Sequence, residues 1–169
     1  METTETRFDF DTFFRAHYPR IARAIARITG DPARAEDLAA EAFWKLWRTP
    51  RAQGEKAGGW LYRTAVRLGL NELRGRERRT RYEQLVQRRP AEPTPEQERA
   101  AAEEREQVRR VLAALDARGA ELLLLRGGGL SYARIAAALD LNPASVGTLL
   151  SRAQRAFREE YRKHYGERE

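Results

Sequence analysis

Apolar residues recur along most of this chain every three or four positions, the spacing of helices buried on one side. Between Phe8 and Thr29, Phe10, Phe13, Phe14, Ile21, Ile25 and Ile28 lie on or near one stripe, and Arg15, Arg20, Arg23 and Arg27 fall elsewhere. The pattern predicts a helix that Pro19 kinks or divides, because an imide nitrogen cannot donate to the preceding turn. Gly30-Asp31-Pro32 then ends one helix and starts another: glycine tolerates the left-handed cap, the carboxylate caps the next helix, and proline takes its first position. Pro32 to Arg48 carries the stripe Ala35, Leu38, Ala39, Ala42, Phe43 and Leu46, with Asp37, Glu41, Trp44, Lys45 and Arg48 on the other face. Thr49 to Gly59 reads as a loop, marked by Pro50, Gly54, Gly58 and Gly59. From Gly59 to Arg79, Leu61, Ala65 and Leu68 make one apolar row, and Tyr62, Val66, Gly69 and Leu73 the next. A compact helical unit should therefore end near Arg81.

Three prolines within Pro90-Ala91-Glu92-Pro93-Thr94-Pro95 exclude a helix interior there and mark a linker. Helical spacing resumes from Glu98 to Leu115 through Val108, Val111, Leu112 and Leu115, and Ala120 to Arg126 is a short apolar helical turn. Gly127-Gly128-Gly129 is no phosphate cradle, since no Lys-Ser or Lys-Thr follows and no strand precedes it; it reads as a flexible turn. Ser131 is placed to cap a helix with Tyr132, Ile135, Ala136 and Leu139 on its buried side. Asp140-Leu141-Asn142 makes a tight turn, with Asp140 suited to a left-handed conformation. Asn142 and Pro143 open the last helix, whose core stripe is Val146, Leu149, Leu150, Ala153 and Phe157. Two short helices joined by such a turn, the second showing Ala144, Thr148, Ser151, Arg152 and Arg155, form a helix-turn-helix. The predicted fold class is all-α: two small helical domains joined by a Pro-rich flexible linker, with a C-terminal helix-turn-helix. The expected divisions are residues 1–81, a linker over 82–103, and residues 104–169.

Charge sharpens this picture. The residues Arg63, Arg67, Asn71, Arg74 and Arg78 lie opposite the apolar rows of their helix. Between Arg63 and Arg89 nine arginines face three glutamates, so that segment carries a net +6 of the chain's +7. Guanidiniums suit phosphates, and the neighbouring Trp60 and Tyr62 offer flat rings on which unstacked bases rest. These features point to nucleic acid with single-stranded character. The acidic stretch Pro90–Glu106, net −4, is either a tether that avoids phosphates or a plain solvated spacer. On the second helix, Asp37, Glu41 and Trp44 suggest a docking surface; surface acids beside a packed tryptophan would look the same.

The remaining composition mostly excludes. No cysteine means no disulfide, thiolate metal site or thiol catalysis. The two histidines, His17 and His164, are far apart and lack partners at metal-ligand spacing, and the three serines all fall in the helix-turn-helix. No catalytic residue, metal or cofactor is expected. The polar, acidic start and the lack of any bilayer-length apolar run predict a soluble, cytoplasmic protein without membrane insertion.

Three stretches, in order, resemble the extracytoplasmic-function sigma factors, the smallest group of the sigma-70 family of bacterial transcription initiation factors. Gly30-Asp31-Pro32 through Phe43-Trp44-Lys45-Leu46-Trp47 resembles their clamp-binding helix, Trp60-Leu61-Tyr62-Arg63 through Arg79 their promoter-melting helix, and Leu122 through Phe157 their minus-thirty-five-reading domain. The resemblance implies core RNA polymerase and promoter DNA as partners and admits an anti-sigma factor as a third. It makes Asp37, Glu41 and Trp44 polymerase contacts, and Trp60, Tyr62, Arg63, Arg67, Asn71, Arg74 and Arg78 the holders of the melted minus-ten strand. Ser131, Arg134, Ser145, Thr148, Ser151, Arg152 and Arg155 become the residues of the helix-turn-helix that meet DNA. The alternative function is a sigma-like or helix-turn-helix DNA-binding regulator that does not itself initiate transcription.

Overall fold

The computed structural model describes residues 8–86 and 95–166. The first helix, α1 (Phe10–Thr29), is capped by Asp9, whose carboxylate accepts the Thr12 N–H at 3.1 Å and the Thr12 hydroxyl at 2.7 Å. It runs unbroken through Pro19, against the expected kink or division. Pro19 lies on the exposed side, where water can serve the carbonyl of Arg15 that the imide leaves without a donor. Gly30 closes α1 in the left-handed region (φ 71°) and donates to the Ala26 carbonyl at 2.8 Å. Asp31 accepts from the Arg34 N–H, and Pro32 opens α2 (Pro32–Trp47). All six residues of its predicted stripe are buried, with Phe43 at the centre: the rings of Phe14, Tyr18 and Phe10 lie 4.7, 5.8 and 6.4 Å from it.

A single 3₁₀ turn (Pro50–Ala52) leads toward α3 (Ala57–Val86), a helix of 30 residues. The helix begins before the expected end of the loop, so Gly58 and Gly59 form part of its first turn. Leu61, Tyr62, Ala65, Val66, Leu70 and Leu73 are buried. A Cβ on Gly69 would come within 3.2 Å of Ile28, so glycine lets α1 and α3 cross closely.

The second group contains α4 (Glu96–Ala114), α5 (Ala117–Gly127), α6 (Tyr132–Leu139) and α7 (Pro143–Tyr165). Asp116, Ser131 and Asn142 cap the last three through bonds to the N–H groups of Gly119, Arg134 and Ala144. Asp140 holds the expected left-handed turn (φ 55°, ψ 53°) between α6 and α7. Val146, Leu150 and Ala153 of α7 are buried, whereas Leu149 and Phe157 are only partly covered. Among the described residues there is no strand, and the fold is all-α.

The expected 82–103 linker is helical at both ends: residues 82–86 continue α3, and 96–103 belong to α4. Its Pro90–Pro93 centre lies outside the described residues. One apolar core runs through both helical groups, joining Tyr62 and Val66 to Leu112, Leu122 and Leu125. As a result α3 packs on α4, α5 and α6 as well as on α1 and α2.

Candidate nucleic-acid interface

The basic face of α3 follows from its spacing, since residues three and four apart stack along one side of a helix. That face was expected to meet solvent and a polyanion; in this arrangement most of it meets the second helical group. Arg63 donates from Nη1 to the Ala138 carbonyl at 2.9 Å. Arg74 donates to the carbonyls of Ala113 (3.2 Å) and Leu115 (2.9 Å). These carbonyls lie at the C-terminal ends of α6 and α4, where helix carbonyls lack intrahelical partners and the dipole is negative. Arg67 forms a two-point pair with Glu121, Nε to Oε1 at 2.6 Å and Nη2 to Oε2 at 3.3 Å. The Glu121 side chain is 7% exposed and that of Arg67 46%, so the acid is buried and the base half in water. Arg76, outside the expected set, reaches the Thr29 carbonyl and Glu106. Asn71 and Arg78 remain exposed.

The two expected base-stacking rings differ in their surroundings. Trp60 is half-buried beside Leu46, Ala52 and Ala57. Tyr62 is a core residue, only 6% exposed, because its position belongs to the apolar row rather than to the basic face. Arg20 lies over its ring at 5.4 Å, and a Cβ at Gly128 would overlap its hydroxyl. The triple-glycine turn is thus a place of close approach: Gly128 admits Tyr62, and Gly129 adopts φ 88°. Arg63 has a buried Nε without an acceptor. Burial, with repulsion from Arg67 second, draws its guanidinium below its usual range.

An open groove beside α3 gathers Trp44, Arg48, Trp60, Arg63 and Arg67. The sequence had assigned Trp44 to another surface; the fold sets it next to the basic helix. Asp37 lies 3.6 Å from Arg34, and Glu41 lies 3.5 Å from Lys45, both as exposed helical pairs. Trp44 is 53% exposed under the Arg48 guanidinium, 4.6 Å from its ring. Trp47 is 61% exposed and was absent from the expected set, although its spacing from Trp44 could have signalled a shared face.

In the helix-turn-helix, Ser131 uses its hydroxyl to cap α6, while Arg134, Ser145, Thr148, Ser151, Arg152 and Arg155 are exposed. Tyr132 was missed: it is 46% exposed, with Arg126 5.2 Å from its ring and Gly147 behind it. Its place in the apolar row of α6 had counted it toward the core. Among the described residues, no helix is long and apolar enough to cross a membrane.

Residues 13–79 match the sigma-70 region 2 family, and residues 105–156 match sigma-70 region 4. The chain is 33% identical over 173 residues to the extracytoplasmic-function RNA polymerase sigma factor SigE of Mycolicibacterium smegmatis. That match covers 94% of this chain but 63% of the relative's length. Two solved structures share the fold. One is the sigma factor RpoE of Bartonella quintana in complex with the anti-sigma factor NepR: TM-score 0.55, 21% identity, covering 90% of this chain and 96% of that one. The other is CnrH in complex with the cytosolic domain of CnrY: TM-score 0.56, 22% identity, covering 89% of this chain and 85% of that one.

Proposed function

The chain belongs to the sigma-70 family, in its extracytoplasmic-function group, and from that premise we propose that it binds core RNA polymerase, recognises promoter DNA and promotes its melting. The observation that carries this reading is the succession of a region 2 match and a region 4 match within one chain. The phosphodiester chemistry belongs to the polymerase; this chain binds and opens DNA and has no reaction of its own. Its place of action is the cytoplasm, and an anti-sigma factor is a fitting third partner.

Each helical group then has a task. Asp37, Glu41 and Trp44 dock on the polymerase, with Trp47 extending the aromatic surface. Trp60, Arg63, Arg67, Asn71, Arg74 and Arg78 hold the melted strand, the arginines on phosphate and the indole on a base face. Tyr62 joins them once its ring is uncovered. Ser145, Thr148, Ser151 and Arg152 meet the upstream duplex from α7, with Arg155, Arg134 and Ser131 beside them. Residues 1–81 and 104–169 act as the two working domains and 82–103 as their tether. Because α4–α6 occupy Arg63, Arg67 and Arg74 here, loading a strand requires the second group to leave α3.

The test is transcription from fragmented genomic DNA by bacterial core polymerase, with and without this protein, mapping RNA 5′ ends. Clustered new starts sharing upstream sequence are expected. Co-elution with polymerase without new starts would favour a sigma-like regulator, and DNA binding without polymerase binding would favour a free-standing one.

A further inference from the structure

Where α1, the turn into α3 and α6 meet, the fold encloses a cavity of about 300 Å³, near the small end of ligand sites. Arg20, Lys56, Arg63 and Arg134 line it, and Glu55 is its only carboxylate. Ile21, Trp60 and Leu130 supply apolar wall. Four cations, three of them exposed, converge around one acid, a lining whose charge favours an anion. Arg20 and Arg63 donate to the Gly128 and Ala138 carbonyls, with Glu121 and Asp140 near Arg63, but neither Lys56 nor Arg134 has a salt bridge among the described residues, and Glu55 has none either. Arg63 adds a buried Nε with no acceptor. The first turn of α3 reaches the wall at Gly58, where a Cβ would meet nothing, so backbone there is open to close approach.

We propose that this cavity binds a small phosphorylated anion. Phosphate matches guanidinium and ammonium donors converging from several directions, and the apolar wall suits a compact organic body. A free nucleotide and inorganic pyrophosphate share this chemistry. The walls come from both helical groups, so the site is whole only while they are packed together. Binding therefore favours that arrangement by mass action. Resting on the function proposed above, it also sets ligand against promoter strand, since Trp60 and Arg63 serve both.

The experiment uses the full chain without polymerase or DNA, which keeps its outcome separate from that of the proposed function. Pyrophosphate, GDP and guanosine are titrated by calorimetry in a phosphate-free buffer, and thermal unfolding is followed with each. Lys56→Glu and Ala137→Glu, both at exposed positions of the lining, place a carboxylate at the cavity. Saturable binding of pyrophosphate or GDP, a raised unfolding temperature and no guanosine binding are expected. Each variant, with the wild-type circular dichroism spectrum, should weaken binding roughly tenfold or more. Tighter binding of GDP than of pyrophosphate assigns a nucleotide; equal affinity assigns the phosphate group alone. Absence of binding by both anions overturns the site. So does binding that both variants leave unchanged, since that would be adsorption to the basic surface.

Discussion

Glu121→Gln tests whether Arg67 is shared between an internal carboxylate and DNA. The amide keeps the shape of the side chain and one acceptor oxygen but removes the charge. An exposed ion pair contributes about 0.2–1 kcal/mol, whereas breaking a buried one costs about 3–5 kcal/mol. This pair lies between those limits, because its acid is 7% and its base 46% exposed, so we assign about 1–2 kcal/mol to the change. That amounts to roughly a 5- to 30-fold shift between packed and separated helical groups. Fluorescence anisotropy of a labelled single-stranded oligonucleotide, at one fixed salt concentration, reads the shift directly. Glu121→Gln should bind up to that much more tightly, and Arg67→Ala more weakly. In the double variant the gain from Glu121→Gln should shrink. A folded Glu121→Gln protein with unchanged affinity would refute the competition between carboxylate and DNA.

Three further outcomes follow from the same contacts. Gly128→Ala drives a methyl into the Tyr62 hydroxyl, so it should destabilise the protein by about 1–3 kcal/mol in denaturant titrations, with partial recovery in combination with Tyr62→Phe. Ile25→Ala opens space at a fully buried position and should cost about 2–5 kcal/mol in the same assay. Trp44→Ala with Trp47→Ala should weaken binding to core polymerase by about 2 kcal/mol or more, measured by calorimetry, while oligonucleotide affinity changes less.

Local rules in the sequence anticipated most of the helices. Gly30-Asp31-Pro32, Ser131 and Asn142 act through neighbours within a few residues, so their hydrogen bonds were readable from spacing alone. The α2 stripe was readable because every member is buried on the same side of the helix. The destination of α3's basic face was not. Helical periodicity gives the direction of Arg63 and Arg74 but not what stands opposite, and their acceptors are carbonyls 75 and 39 residues away. Tyr62 shows the same limit: its row predicted burial, and its proximity to arginines predicted a base contact. Packing against the second group decided between them in this arrangement. Tyr132 was passed over because an aromatic at helical spacing normally signals core, and Trp47 because its spacing from Trp44 was not used.

The arginine–carbonyl contacts of α3 also affect genetics. A carbonyl is present whatever side chain its residue carries, so Ala113, Leu115 and Ala138 can change identity and still receive Arg74 and Arg63. Neither contact imposes a compensating residue on its partner position. Of the three arginines, Arg67 alone is held by a partner side chain, that of Glu121. A suppressor selection, or a comparison of substituted positions across many versions of the chain, would register these three arginines' hold on the second group mainly at that one pair.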